Sequence, residues 1–549
     1  MPNTTERSGW IGALLAKLAS LRWSHALIGA LLIGALLRLV HYGIGRMLWV
    51  DEAMLAVNLM SRSGAELLSP LDFRQVAPSG WVLLVDGVVD LTRSYEYGGR
   101  LPSLLASLLS LWLFYKISVT QLSKPIALVA VSIFAISFSA VYYSAEIKPY
   151  IFDMLLWLSL AWVALKVIDL ERIETKELAI LIVIFLFGSC FTLAAPIVIG
   201  AIGGSLIVNR YLQGDLRAAV ALAMGAGAAA AIYLFLSLTI YKTQVDISGI
   251  SDGGMGNYFG RLYAPFPLTS ASDFIWYPTV AEELIVDLFG IQSAHAVAFL
   301  AICGSIVALR KNVWLAALCL SPIVIATVLS MAHVYPLMAR LMLYVVPIAI
   351  LLAALALDRL FEDAKGLLPA ILIGALVFLG FGSVSKYVHE STFAPHQSNR
   401  DISTELSTIA ENAGDGDVVL LTRWSLPTYL LYRHKFGLED QRWAIAEQAR
   451  CLKIASIDQL EADRIWLFKP FGRWRLLDEH LEVSPKTRAD KSIIYTPAPL
   501  IEAMDWLRTN RLEELPSDLA DCTTVRDLDA YLNGGIAPIQ LGELFTDTQ

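Results

Sequence analysis

The chain is a series of long apolar stretches separated by short polar segments. Most of the stretches approach the ~20 residues that a helix needs to cross a bilayer. In chain order they lie at about 25–44, 102–119, 126–142, 151–168, 178–208, 218–241, 294–309, 313–331, a stretch ending near 357, and 367–384. The stretch 178–208 is long for one helix, and Thr192 and Pro196 interrupt it, so we expect two short spans there. The pattern therefore predicts about eleven transmembrane helices.

The first and longest polar interruption, residues 46–100, is predicted as an outer loop that is only partly polar. It contains two apolar segments too short to span, Ala53–Met60 and Gly80–Leu91, which we expect to be helices lying along the membrane surface. Between them, the run Gln-Val-Ala-Pro-Ser-Gly at 75–80 breaks the pattern. Residues 242–292 are predicted as a second long outer loop, rich in Gly, Tyr and Pro.

From residue 385 onward the pattern changes to that of a water-exposed segment. Helical periodicity is present in Asp401–Asn412 and Leu426–His434, and strand candidates lie at 417–421, 464–468 and 491–495. We therefore predict three parts: a cytoplasmic segment at 1–24 with an interfacial helix, a transmembrane domain at 25–384, and a small α/β domain at 385–549. The glycine-rich run at 253–256 lacks a strand–helix context, so it is not predicted to bind a nucleotide.

Composition supports this membrane assignment. The 549-residue chain is 56% hydrophobic and 17% charged, against about 45–50% and about 25% in soluble domains. The formal net charge of −8, with most of the acidic excess after residue 385, argues against nucleic acid as a partner.

The distribution of basic residues predicts the orientation of the spans. Basic residues precede the first span and acidic residues follow it, which places the N-terminus in the cytoplasm as an uncleaved signal anchor. An odd number of spans then places the C-terminal domain outside. Inner loops repeatedly hold Lys or Arg, whereas the short outer turns hold only Lys148 and Arg340. We therefore predict a multi-pass protein of the bacterial inner membrane with an extracytoplasmic C-terminal domain.

The chain has five cysteines. Cys190, Cys303 and Cys319 fall in apolar stretches and are read as small buried hydrophobic residues. Cys451 and Cys522 lie in the C-terminal part, where they could form a disulfide or remain as thiols. No spacing of Cys and His indicates a structural zinc site.

Two adjacent carboxylates, Asp51 and Glu52, directly follow Trp49-Val50 after the first span. They could simply be the solvated end of a helix, with acids that help to set the orientation. Alternatively, a carboxylate in a partly desolvated cleft can have a raised pKa and accept a proton from an attacking hydroxyl.

A second polar group lies in the turn that holds Glu146, Lys148 and Tyr150. A local ion pair in a tight turn would explain it, but Lys148 is an outward-facing cation that runs against the charge bias. Arg340, shortly after Tyr335-Pro336, and Arg100 are further outer cations. Cations at this face suit an anionic head group, and the planar fork of Arg suits phosphate oxygens.

These motifs, taken in order, resemble membrane glycosyltransferases of the C-type fold. The resemblance rests on Asp51-Glu52, on Gln75–Pro78 followed by Arg100-Leu101-Pro102-Ser103, on the run Tyr142–Tyr150, and on Tyr335-Pro336, Arg340 and Pro347. It covers about residues 25–385. The branch that it resembles includes protein O-mannosyltransferases and the aminoarabinose transferases that act on lipid A.

The resemblance implies a sugar donor carried on a polyprenyl phosphate, an inverting reaction and an extracytoplasmic site. It implies that Asp51 is the catalytic base, with Glu52 and Glu146 as further catalytic candidates. Arg100 and Lys148 are implied phosphate contacts, and Tyr150, Tyr335 and Arg340 are further substrate-binding candidates. The turn reads Ser-Ala-Glu-Ile-Lys where many relatives have Gln-Glu-Ala-Arg, so the role of Lys148 departs from the family pattern.

The cofactor and acceptor follow less directly from the resemblance. We expect that no cofactor is required, although Asp51 and Glu146 could weakly hold a divalent cation. The acceptor is left open among a glycolipid, a cell-envelope glycan and a protein.

Two other functions fit a polytopic chain. A flippase or transporter of lipid-linked sugar would place polar residues mid-helix, often in repeated broken helices. A surface-polysaccharide polymerase or ligase would also use lipid-linked substrates, but with different loops. The mid-span stretches are nearly free of charge, with Asp153 near a helix end, and no internal repeat is visible.

Overall fold

The computed structural model describes residues 23–242, 260–290, 294–362, 374, 382–393, 402–422, 425–446, 464–468 and 492–495. The chain forms two compact units. The first unit comprises residues 1–44, 77–241 and 251–393, and the second comprises residues 45–76, 242–250 and 394–549. The second unit therefore joins part of the predicted first outer loop to the C-terminal part of the chain.

The described part of the chain is mostly α-helical. Its α-helices are α1 (Trp23–Gly43), α2 (Val50–Ser61), α3 (Ser79–Thr92), α4 (Tyr95–Gly98), α5 (Leu101–Gln121), α6 (Lys124–Ile136), α7 (Phe138–Tyr142), α8 (Tyr150–Val167), α9 (Thr175–Phe191), α10 (Ala195–Leu212), α11 (Leu216–Leu236), α12 (Ala271–Phe289), α13 (Ala294–Lys311), α14 (Val313–Met331), α15 (Val345–Glu362), α16 (Ser403–Asn412) and α17 (Leu426–Tyr432). The second unit contains α2, α16 and α17, and the first unit contains the others.

Seven helical segments of the described chain are long and apolar enough to cross a membrane. They are α1, the combined segment Tyr95–Gln121, α8, α10, the segment Leu216–Tyr241, α13 and α14. An eighth span results if α6 and the segment Phe138–Ala145, which are bent by 53°, count as one. The predicted helices are thus confirmed at these positions. The last predicted span, at 367–384, lies almost wholly outside the described residues, and the count of eleven stays a prediction.

The stretch 178–208 is divided as expected. Helix α9 ends at Phe191 and α10 begins at Ala195, with Thr192 extended between them. Pro196 sits in the first turn of α10. A proline at that position has no backbone N–H to lose and a φ angle that suits a helix.

The bend between α6 and α7 is tied to the first span by Arg38, which is completely buried. Its guanidinium donates to the hydroxyl of Ser107 (2.7 Å) and to the carbonyls of Gly34 (2.8 Å) and Ala135 (3.0 Å). A buried charge in a span is costly unless it is hydrogen-bonded, so these bonds hold three helices together. Arg38 is an exception to the reading that the spans are nearly free of charge.

The predicted outer loops contain more helix than the pattern indicated. Helices α2 and α3 confirm the two short apolar segments of the first loop. The second loop contains α12, a helix of 19 residues that the sequence pattern did not predict. Its start is capped by the Asp273 carboxylate, which accepts from the backbone N–H groups of Thr269 (2.7 Å) and Ser270 (2.8 Å). The Ser-x-x-Asp spacing of Ser270 and Asp273 is the sequence signal that could have predicted the start of this helix.

The second unit contains a four-stranded sheet in the order β2-β1-β3-β4. Strand β1 (Val418–Thr422) pairs in parallel with β2 (Trp443–Ala446) and β3 (Ile465–Phe468), and β4 (Ser492–Tyr495) is antiparallel to β3. The predicted strands β1, β3 and β4 and the helices α16 and α17 are present, whereas β2 was missed. The interfacial helix predicted in 1–24, Cys451 and Cys522 lie outside the described residues.

Candidate functional site

In the second unit, the adjacent acids lie in the first turn of α2 rather than at the end of the first span. Glu52 is completely buried, and its carboxylate accepts from the backbone N–H of Trp49 at 3.4 Å. The same carboxylate lies 3.8 Å from the guanidinium of Arg46. Negative charge is favourable at a helix N-terminus, so Glu52 caps the helix and pairs with Arg46. Asp51, its neighbour, is partly exposed.

The far end of α2 is fixed to the chain that follows it. Asn58 donates to the carbonyl of Asp72 at 3.4 Å, and its own side-chain oxygen accepts the N–H of Asp72 at 2.8 Å. Arg62 pairs with the Asp72 carboxylate at 3.0 Å. Burial raises the pKa of Asp72 to about 6, although the Arg62 charge acts to lower it. The helix that carries Asp51 is therefore held at both ends by buried polar contacts.

In the first unit, the start of α5 packs against the turn that precedes α8. The Ser103 hydroxyl donates to the carbonyl of Glu146 at 2.8 Å and approaches that of Lys148 at 3.4 Å. Gly99 makes the approach possible, because a Cβ there would lie only 2.5 Å from Cδ1 of Ile147. Two motifs that are separate in the sequence, 100–103 and 146–150, are thus one cluster.

The charged side chains of this cluster are withdrawn from solvent. Arg100 and Glu146 are each 1% exposed, and Lys148 is partly buried. Charges buried at this depth need partners or a function, and a partly desolvated cation binds an anion more strongly than one in bulk water. The cluster therefore has the charge and the depth to hold an anionic group.

The turn that contains Arg340 joins the same cluster through an aromatic ring. The Arg340 guanidinium lies 5.8 Å from the centre of the Tyr150 ring, which is itself 5.5 Å from the ring of Tyr143. The Tyr335 hydroxyl donates to the carbonyl of Leu341 at 2.6 Å. Tyr335 thus orders the turn that carries Arg340, whereas Tyr150 contacts Arg340 directly.

Three residues of the first unit had no assigned role from the sequence, and two of them, Ser103 and Gly99, belong to the cluster. Ser103 and Gly99 were missed because their roles depend on a neighbour more than forty positions away. Asp153, in the first turn of α8, is only 3% exposed. The sequence did contain a signal for Asp153, because an acid at the edge of an apolar stretch is a candidate functional residue.

Within the described residues, no group of three or more His, Cys, Asp and Glu side chains is arranged to hold a metal ion. Asp51 and Glu146, the two residues named as ligands if a metal binds, belong to different units. Metal dependence stays a prediction.

Comparison with known proteins bears on the same segment of the first unit. Residues 78–241 match the family model of dolichyl-phosphate-mannose-protein mannosyltransferases. This segment includes Arg100, Ser103, Glu146, Lys148 and Tyr150. The resemblance to membrane glycosyltransferases is confirmed. No match is found among curated protein sequences.

Solved structures of two kinds are similar to the chain. ArnT from Cupriavidus metallidurans in the apo state has 11% identity and a TM-score of 0.49, covering 86% of this chain and 99% of that one. The Archaeoglobus fulgidus oligosaccharyltransferase in complex with Zn and sulfate has 13% identity and a TM-score of 0.43, covering 80% and 67%. The oligosaccharyltransferase AglB from the same organism, with an inhibitory peptide and a dolichol phosphate, has 12% identity and a TM-score of 0.40, covering 80% and 69%.

Proposed function

We propose that this protein is a membrane glycosyltransferase that moves a sugar from a polyprenyl-phosphate donor to a hydroxyl group of an acceptor. One observation carries the proposal: the segment that matches a sugar-transferase family is the segment that holds the cluster around Arg100, Glu146 and Lys148. Such a cluster suits a donor whose phosphate must be held and then released.

The cations of the first unit would bind the donor phosphate. Sugar transfer from this donor leaves negative charge on the departing phosphate, and fixed cations stabilise charge that develops in the transition state. Arg100 and Lys148 lie at the two segments joined by Ser103, and Arg340 is held over Tyr150. Tyr150 would set the position of Arg340, and Tyr335 the turn behind it.

Asp51 would act as the general base. Its partly exposed carboxylate would take the proton of the acceptor hydroxyl as the acceptor oxygen forms its bond to the anomeric carbon. The bond between that carbon and the phosphate oxygen would break on the opposite face, and the electron pair would leave with the phosphate. A single displacement of this kind inverts the anomeric configuration.

The other two acids would support these groups. Glu52 is engaged by Arg46 and by the start of α2, so it would orient the first turn that carries Asp51. Glu146 is buried, two positions before Lys148, and would limit the mutual repulsion of the donor cations. We propose no required cofactor.

We propose the side of the membrane from chain order together with the distribution of basic residues. Asp51 and Arg100 both belong to the segment between α1 and α5, two spans of opposite direction, so both would face the extracytoplasmic side of a bacterial inner membrane. The acceptor would be a glycolipid, a cell-envelope glycan or a protein that reaches this side.

The test is a transfer assay with the purified chain in nanodiscs, a radiolabelled polyprenyl-phosphate sugar and each acceptor class in turn. The proposal expects labelled acceptor and stoichiometric release of polyprenyl phosphate. A polymerase or ligase would instead extend or attach a lipid-linked glycan chain. Movement of an intact lipid-linked sugar across proteoliposomes, with no release of polyprenyl phosphate for any acceptor, would indicate a flippase.

A further inference from the structure

Two lysines converge on one tryptophan where α5 and α8 lie side by side. The ammonium of Lys166 lies 4.3 Å from the centre of the Trp162 ring, and that of Lys116 lies 5.6 Å from the same ring. Lys116 is also 5.9 Å from the ring of Trp112 on its own helix. Distances within about 6 Å allow attraction between a cation and an indole face. We call these residues the Lys116–Trp162–Lys166 cluster.

Among the side chains that the structure describes, no carboxylate pairs with either lysine of the cluster. In the described ranges, neither ammonium forms a salt bridge or donates a hydrogen bond, and both lie against indole rings. Asp169, the next acid after Lys166, accepts a hydrogen bond from Asn312 at 3.1 Å. Two like charges gathered at one ring repel each other. An anion placed between them would remove that repulsion.

The cluster lies far from the candidate donor site along the same helices. Ser103 joins the start of α5 to the turn before α8, so the two helices run in the same direction from that point. Lys116 is then about 20 Å farther along α5, at 1.5 Å per residue. Both lysines lie within the last two turns of their helices. This is the depth at which Trp and Lys meet lipid head groups.

An exposed apolar stripe leads along α5 to the cluster. Leu105, Leu109 and Trp112 are 58%, 45% and 47% exposed. Their spacing places them on one face of the helix, and Lys116 continues the same face. On α8, Leu155 lies seven positions before Trp162, hence on the same face of that helix, and it is partly exposed. A lipid acyl chain would lie along the stripe of α5, whereas a soluble anion would leave it unused.

We infer that the Lys116–Trp162–Lys166 cluster binds one anionic phospholipid, with its phosphate between the two ammonium groups and an acyl chain along the exposed stripe of α5. This inference does not rest on the proposed sugar transfer. The phosphate of a phospholipid at this depth would be held by two charge-assisted contacts, and the indole would lie beneath the head group.

The test is titration of the full-length protein in detergent with phosphatidylglycerol, followed by native mass spectrometry. The double variant Lys116→Gln, Lys166→Gln should lose about tenfold to thirtyfold in affinity, as expected for two interfacial cations. The matched control is Lys124→Gln, Lys176→Gln, which removes two exposed lysines from the first turns of α6 and α9. The control should change affinity by less than about threefold, because neither lysine belongs to the cluster.

Further measurements distinguish a specific lipid site from general electrostatic attraction to anionic lipids. Wild-type protein should bind phosphatidylcholine at least about tenfold more weakly than phosphatidylglycerol, and soluble glycerol phosphate should not compete. An equal loss in the test and control variants, no loss in the test variant, or competition by glycerol phosphate would each overturn the inference. If the double variant melts at a lower temperature than wild type, each single variant is titrated instead. Unchanged affinity in both singles would likewise overturn it.

Discussion

The Ser103 hydroxyl donates a hydrogen bond to the carbonyl oxygen of Glu146 at 2.8 Å. This bond joins the start of α5 to the turn before α8, and so joins the segment of Arg100 to that of Lys148. Both partners are buried. The relative position of the two predicted phosphate contacts therefore depends on a neutral hydroxyl that has no proposed role in the reaction.

Ser103→Ala should reduce kcat/KM for the donor by about fivefold, because a buried hydrogen bond contributes about 1 kcal/mol. The control is Ser110→Ala on the same helix, whose hydroxyl donates at 2.8 Å to Ala106 within that helix. Steady-state kinetics with the purified variants would make the comparison. Equal losses in both variants would show that Ser103 only stabilises α5.

Lys148→Met and Arg340→Met should each weaken donor binding and leave acceptor binding nearly unchanged. Loss of a charge-assisted contact of about 1.5–3 kcal/mol corresponds to roughly tenfold to more than a hundredfold in Kd. Donor titration in nanodiscs measures it. Arg261→Met, at an exposed position of the first unit, is the matched control. Unchanged donor affinity in both test variants would make these cations structural.

Asp51→Asn should abolish transfer and leave the melting temperature close to that of wild type. Loss of a general base typically costs about 10²–10⁴ in rate. Glu52→Gln should lower the melting temperature, because Glu52 is buried and paired with Arg46. Transfer assays and thermal melts on both variants separate the two acids. Full activity of the Asp51→Asn variant would rule out this base.

The topology is tested by alkaline phosphatase fusions, which are active only outside the cytoplasm. A fusion after Gln549 should be active, and a fusion within 358–366 should be inactive, because we predict an odd number of spans and a basic inner loop. The reverse pattern would mean that the spans are miscounted, with 178–208 crossing the membrane as one unit.

Asp417→Asn should lower the stability of the second unit and weaken the dependence of that stability on pH in the acid range. Burial acts to raise the pKa of Asp417, but hydrogen bonds from Arg464, Gly414 N–H and Trp466 outweigh it and lower the pKa below its ordinary value. A carboxyl with a lowered pKa stabilises the fold above about pH 4, and that stabilisation is lost as the pH falls through its folded value.

The expected loss for the Asp417→Asn variant is about 1.5–3 kcal/mol at neutral pH, for a set of charge-assisted bonds. Thermal melts from acid to neutral pH, followed by circular dichroism, would measure it. Asp415→Asn, at an exposed neighbouring position, should leave the melting curves unchanged. If the wild-type acid response persists in the Asp417→Asn variant, other carboxyls are responsible for it.

The sequence by itself determined where the membrane helices lie. A span in lipid must satisfy its own backbone hydrogen bonds, so its position depends on local apolar length, and α1, α5, α8, α13 and α14 begin and end close to the predicted positions. Local signals likewise identified the break near Thr192 and the adjacent acids Asp51 and Glu52. The loop helix α12 and the short strand β2 were missed, because α12 carries four acidic residues and an internal proline and β2 is only four residues long.

Tertiary structure alone decided which of these local features meet. Gly99 has no Cβ and so admits Ile147, and the Ser103 hydroxyl reaches the Glu146 carbonyl, yet neither residue shows its partner in the sequence. The different surroundings of Asp51 and Glu52 also depend on packing, which buries Glu52 beside Arg46 and leaves Asp51 partly exposed. The same holds for Lys116 and Lys166, which share the Trp162 ring only because α5 and α8 lie side by side. Hydrophobic periodicity predicts each helix separately. Which side chains meet depends on how two helices pack against each other, and that packing cannot be read from the sequence of either helix.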